Sequence, residues 1–186
     1  MVIVMKIIFL DIDGVLNTSQ TFKNRYYEYK RSGNYSLEID DFRVELLEKV
    51  VKETHAKIVL SSTWRKGFAK KNDVIVSTFE KTKQLVNVFS KHNLEIYDVT
   101  PYDENLCRQK EILQYLKSRK DIESFVIFDD EASDLSVFVD KELILVHNDC
   151  TDFNEERNGL LKEHVLIAIE KLNKDLNKGY VKRYKG

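Results

Sequence analysis

Lys6-Ile7-Ile8-Phe9-Leu10-Asp11-Ile12-Asp13-Gly14-Val15-Leu16-Asn17 is the stretch on which the fold turns. An apolar run that stops at Asp11 reads as a buried strand presenting a carboxylate at its end. In open α/β sheets, ligands bind in the crevice beyond the carboxyl ends of the strands. Asp11 and Asp13 are so close that their charges repel unless a cation or a shared proton compensates. Gly14 then permits a tight exit from the strand. The stretch reads either as the acidic half of a Mg²⁺-dependent catalytic site or as an Asx-rich turn closing a strand.

Outward from this run, short β-like segments alternate with longer helical ones. Residues 7–11, 57–61, 94–99, 125–128 and 143–146 read as five strands. Residues 41–53, 74–92, 108–119 and 160–176 carry apolar side chains at helical spacing. Such alternation predicts an α/β domain of three layers, with a mainly parallel five-stranded sheet covered on both faces. Residues 18–38 show no clear helical period and mix Phe22, Tyr26, Tyr27, Tyr29 and Tyr35 with Lys23, Arg25, Lys30 and Arg31. They read as a small flap overhanging the strand ends, its aromatics packing below or stacking on bases. Residues 174–186 form a basic tail with Tyr180 and Tyr184, readable as a solvated terminus or a phosphate-backbone contact.

The 186 residues suit a single domain, residues 1–186, with a core that needs no staples. Thirty basic and 31 acidic residues nearly cancel, so any basic surface must be a local patch. Cys107 and Cys150 have neither a pairing pattern nor zinc spacing and read as reduced thiols. The apolar N-terminus is too short to span a membrane, and the expectation is a cytoplasmic protein with no membrane partner. Oligomeric state has no signature in the sequence.

Three strand ends carry residues that phosphate chemistry uses. The first offers Asp11 and Asp13, the second Ser61-Ser62-Thr63-Trp64-Arg65, and the fourth Asp129-Asp130-Glu131-Ala132-Ser133-Asp134. Arg108 and Lys110 fall in the first turn of the helix preceding the fourth strand. A parallel sheet brings these ends together although they lie far apart in the chain. Asp98, near the end of the third strand, could alternatively mimic the acceptor of a phospho-receiver domain, but the Asp-x-Asp spacing fits that fold poorly.

In this order the motifs resemble those of the haloacid dehalogenase (HAD) superfamily of phosphatases and phosphotransferases, over roughly residues 5–160. Leu60-Ser61-Ser62-Thr63-Trp64-Arg65, Val99-Thr100-Pro101, Arg108 with Glu111-Ile112, and Phe128-Asp129-Asp130 further resemble a subgroup found in bacterial multi-domain RNA-repair proteins. The resemblance implies a Rossmann-like HAD domain and a phosphomonoesterase working through an aspartyl-phosphate. Asp11 would be the nucleophile and Asp13 the general acid and base. Mg²⁺ would be held by Asp11, the Asp13 backbone carbonyl and Asp129 or Asp130, an all-oxygen set that suits this ion. Ser61, or Ser62 if the register is one off, would bond a phosphoryl oxygen. Arg108 or Lys110 would supply the phosphate-neutralising cation, and Asp134 would support the metal site from behind. Arg65 would contact substrate phosphate or form a surface salt bridge, and Trp64 would pack. The motif spacing leaves room for no large cap, so an open site for a bulky substrate such as a nucleic acid end, a phosphoprotein or a phospholipid-like headgroup is expected, or a roof from a partner subunit. The leading reading is a nucleotide or a nucleic acid phosphate end. Small-metabolite phosphatase and non-catalytic phospho-ligand binding are the alternatives.

Overall fold

The computed structural model describes residues 4–33, 39–72, 74–151, 154, 156–174 and 184. The chain runs β1 (Met5–Leu10), α1 (Ser19–Ser32), α2 (Asp41–Thr54), β2 (Lys57–Leu60), a 3₁₀ turn (Thr63–Gly67), β3 (Phe68–Lys71), β4 (Val74–Ser77) and α3 (Glu80–Lys91). It continues through β5 (Ile96–Val99), α4 (Arg108–Ser118), β6 (Ile122–Asp129), a short 3₁₀ turn (Ser136–Phe138), β7 (Leu143–Leu145) and α5 (Lys162–Asn173).

Five strands form one parallel sheet in the order β5-β2-β1-β6-β7, with β1 at its centre. Burial on both faces demands apolar residues at every position from Ile7 to Leu10, not at alternate ones. Ile8 and Leu10 point into the layer that holds Val44, Leu47 and Val50 of α2 and Val165 and Leu172 of α5. Ile7 and Phe9 point the other way, against Ile112, Tyr115 and Leu116 of α4. There the Phe9 ring meets Tyr115 and Phe125 edge-on at 5.6 and 5.7 Å. The fold is the expected three-layer, Rossmann-like α/β arrangement.

Register places the chemistry. Leu10 is level with Leu60 of β2 and Phe128 of β6. The next residues, Asp11, Ser61 and Asp129, therefore emerge side by side at the carboxyl edge. The amides of Asp11 and Ser61 still pair across, to Phe128 O and Leu10 O, each at 3.0 Å. Asp11 is thus fixed by the sheet itself.

Two segments differ from the sequence expectation. Residues 18–33 form a helix and its caps, not an irregular flap. Thr18 and Thr21 make a reciprocal capping box, and Gly33 closes the helix at φ +73°. The helical period is weak because α1 buries none of its residues, so no apolar stripe is required of it. The rest of the expected flap, residues 34–38, lies outside the described residues.

Residues 74–92, read as one helix, split into β4 and α3. The β-branched run Val74-Ile75-Val76 pairs antiparallel with β3, and Asn72 turns the hairpin at φ +50°. This hairpin directly follows the Ser61 loop. Asp98 lies inside edge strand β5, where Tyr115 Oη donates to it at 3.2 Å; it is no phospho-acceptor poised at a central strand end. Tyr184 packs against Phe125 and Phe138 and donates to Glu142, so its ring belongs to the core rim; residues 175–183 lie outside the described residues. No described helix is long and apolar enough to cross a membrane.

Candidate active site

Carboxylate oxygens of Asp11, Asp129 and Asp130 lie within 4.8 Å of one another. Asp11 and Asp129 are buried, Asp129 completely, while Asp130 is half-buried. Burial first, and then the Asp11 charge, push the Asp129 carboxyl up to about 7 against the pull of Arg108. Asp11 is raised for the same first reason, against the pull of Arg108 and a hydrogen bond with Ser62. Three hard oxygen donors this close, with Asp11 and Asp129 raised by burial, are a fit for a divalent cation.

Arg108 bridges two of them. Its Nη1 lies 3.2 Å from Asp11 Oδ2 and also pairs with Asp129 Oδ2. Burial disfavours its charge, but Asp11 and Asp129 outweigh that and hold the guanidinium protonated. Lys110, the other candidate cation, is exposed and makes none of these pairs. Asp134 accepts the Arg108 amide at 3.2 Å, so its carboxylate caps the start of α4 and seats Arg108. Asp134 stands outside the acidic group and is tied to it through Arg108.

Asp13 is held from two sides. Asn17 Nδ2 donates to its Oδ1 at 2.9 Å, and Trp64 Nε1 donates to its Oδ2 at 3.0 Å. Asn17 Oδ1 also accepts the Gly14 amide at 2.9 Å, which braces the loop after β1. Gly14 sits at φ +77°, and a Cβ there would overlap Asp130 Oδ2 and the side chain of Asn148. Glycine is thus required both by conformation and by the approach of Asp130. Asn148, just beyond β7, donates to Asp130 Oδ2 at 2.8 Å.

On the β2 side, Ser61 Oγ is buried with no hydrogen-bond partner among the described residues. Ser62 Oγ accepts the Trp64 amide at 3.3 Å and begins the 3₁₀ turn. Arg65 departs from both readings of it. Only 6% exposed, it turns inward, pairing with Glu111 Oε2 at 2.5 Å and donating to the carbonyls of Ser61 and Ser62 at 2.7 Å each. A buried guanidinium needs such partners; they turn both Nη groups inward, while Nε has none among the described residues.

Residues 7–156 match the model of the HAD domain in Swiss Army Knife RNA repair proteins. The chain belongs to this HAD family. No curated protein and no solved structure matches it. For this HAD domain the family supports phosphatase-type hydrolase chemistry in general, and the acidic group fits the divalent metal that HAD domains generally use.

Four residues of the site escaped the sequence reading. Trp64 passed as a packing residue, although a donor three residues past Ser61 is placed to reach the Asp13 loop. Asn17, in Asp-Gly-x-x-Asn, carries the Asx signal for bonding a nearby amide. Glu111 is visible only as part of the family resemblance. Asn148 has no local signal, because only the β6–β7 pairing brings it to Asp130.

Proposed function

We propose that this HAD domain is a Mg²⁺-dependent phosphomonoesterase that works through an aspartyl-phosphate on a nucleotide or the phosphorylated end of a nucleic acid. The observation that carries the reading is Asp11: fixed by the sheet, in the acidic group, bridged by Arg108, and next to an Asp13 held by two donors. Asp11 attacks the phosphorus, and the bond to the leaving oxygen breaks as Asp13 gives that oxygen a proton. Asp13, now a carboxylate, takes a proton from the water that hydrolyses the aspartyl-phosphate, releasing phosphate and restoring the Asp11 carboxylate and the protonated Asp13. With Asn17 and Trp64 each using one acceptor position, both Asp13 oxygens retain a lone pair for that proton.

Arg108 neutralises charge on Asp11 and on the incoming phosphoryl oxygens. Ser61 Oγ, buried without a partner, supplies a hydroxyl for one of those oxygens. Asp11, Asp129 and Asp130, with the Asp13 carbonyl, would hold Mg²⁺, which lets an anionic nucleophile approach an anionic phosphate. The nucleic acid preference draws on the description of the matching family and on the basic aromatic character of α1.

The test is phosphate release from 3′- and 5′-phosphorylated oligonucleotides, mononucleotides and an aryl phosphate, with Mg²⁺ or EDTA, against Asp11→Asn. Metal-dependent release that favours oligonucleotides and vanishes in the variant supports the proposal. Release from small substrates alone moves the assignment to a metabolite phosphatase. No release from any of them, by metal-loaded protein, sinks it.

A further inference from the structure

Among the described helices, α1 alone buries no residue. Several of its large aromatic rings stay in solvent, and a patch of this kind marks a surface that a ligand covers. Phe22, Tyr26 and Tyr29 recur at i, i+4 and i+7 on one face, with Tyr27 beside them. They are 42%, 52%, 39% and 59% exposed. The helix contains Lys23, Arg25, Lys30 and Arg31 against a single acid, Glu28, and has no Leu, Ile, Val or Met.

The rings and cations are interleaved. Lys30 Nζ lies 5.0 Å from the Tyr26 ring centroid, and Tyr26 meets Tyr27 edge-on at 5.7 Å. A helix that docks in an apolar groove lays an apolar face at this spacing, whereas here four cations crowd the rings. Flat rings flanked by positive charge are instead the chemistry that holds a single strand, with bases on the aromatics and phosphates on the cations.

Position favours the same occupant. Thr18, the N-cap of α1, directly follows Asn17, whose side chain holds Asp13. A rise of about 1.5 Å per residue sets Phe22, Tyr26 and Lys30 on levels roughly 6 Å apart along the helix. On the other oxygen of Asp13, the buried Trp64 ring presents a cation rather than a stacking face. The Trp64 ring carries Lys81 Nζ at 3.8 Å, and nearby Lys66 Nζ lies 4.1 Å from the exposed Tyr102 ring.

We infer that α1 is an arm that binds single-stranded nucleic acid, stacking bases on Phe22, Tyr26 and Tyr27 and pairing backbone phosphates with Lys30 and Arg31. That the strand's terminal phosphate then lies at Asp11 rests on the phosphatase reading; the strand binding itself does not.

The test is fluorescence anisotropy of the full chain with labelled oligonucleotides of increasing length and with a duplex, across a salt series. Affinity for single strands should rise with length and exceed that for the duplex. Tyr26→Ala with Tyr27→Ala should weaken binding about tenfold or more. Lys30→Glu with Arg31→Glu should flatten the salt dependence by about 1.4 in log–log slope, from about 0.7 per released contact. A thermal melt checks that each variant is folded, which an exposed helix face predicts. Binding that ignores length, strand state or these variants overturns the inference. So does loss of self-association, rather than of nucleic acid binding, in the tyrosine variant, because α1 would then be a protein interface. If strands bind as described and no phosphate is released from any of them, the phosphatase reading fails and the arm stands.

Discussion

Trp64 Nε1 donates to Asp13 Oδ2 at 3.0 Å, tying the loop after β2 to the residue assigned proton transfer. The indole orients the carboxylate through this bond, which makes Trp64 a positioning residue for Asp13. A hydrogen bond to a charged group is worth about 1.5–3 kcal/mol. Trp64→Phe keeps most of the ring and removes the donor. Steady-state kinetics with an aryl phosphate should show kcat down about tenfold with KM nearly unchanged. An unchanged kcat would mean that the ring only packs.

Arg108 predicts opposite effects on metal and on turnover. Its guanidinium pairs with Asp11 and Asp129, two of the three carboxylates expected to hold the cation. Removing it in Arg108→Ala relieves charge repulsion at the metal, so calorimetry should find tighter Mg²⁺ binding. The same variant loses neutralisation of the phosphoryl oxygens, and kcat/KM should fall about a hundredfold. Arg108→Lys should recover part of the activity but not the two-carboxylate bridge. Weaker metal binding in Arg108→Ala would place the arginine among the supports of the metal instead.

The buried Asp129 sets a pH dependence of stability. Its carboxyl is pushed up to about 7 by burial, against an ordinary value near 3.8. Between those values the metal-free folded state keeps a proton that the unfolded chain has lost. The contribution of this group to stability therefore falls as pH rises through that window. A divalent cation must displace the same proton, so its binding strengthens over the same range. The Tm gap between Mg²⁺-loaded and EDTA-treated protein should widen from about pH 6 to about pH 8. A constant gap would show that Asp129 is not a ligand.

How much of this was legible in the sequence follows from what each residue answers to. The sheet and the positions of Asp11, Ser61 and Asp129 are written locally, because a doubly buried strand must be apolar throughout and must end where its first carboxylate stands. The β3–β4 hairpin was obscured by its short strands, whose apolar spacing merges with that of α3. Helix α1 lacked a period because it faces no core. Arg65 shows the limit most directly. An arginine beside a phosphate loop reads equally as a ligand or as a surface charge, and its true partner, Glu111, lies 46 residues away on α4. Trp64 and Asn148 likewise depend on pairings that only the assembled sheet creates.

The Arg65–Glu111 pair separates stability from activity. Both side chains are almost fully buried, and the pair locks the 3₁₀ turn to α4 one helical turn from Arg108. Glu111→Gln strands a buried charge and should cost about 3 kcal/mol in urea unfolding. Replacing both members, Arg65→Met with Glu111→Leu, removes the stranded charge and should return stability to within about 1 kcal/mol of the parent, since apolar packing often substitutes for a buried ion pair. Activity should not return with it. Arg65 also donates to the carbonyls of Ser61 and Ser62, and methionine leaves those groups unheld beside the phosphoryl site. The double variant should therefore melt like the parent yet keep a depressed kcat. If kcat recovers together with stability, the pair is a fold element alone, and the serine loop takes its geometry from the sheet without help from Arg65.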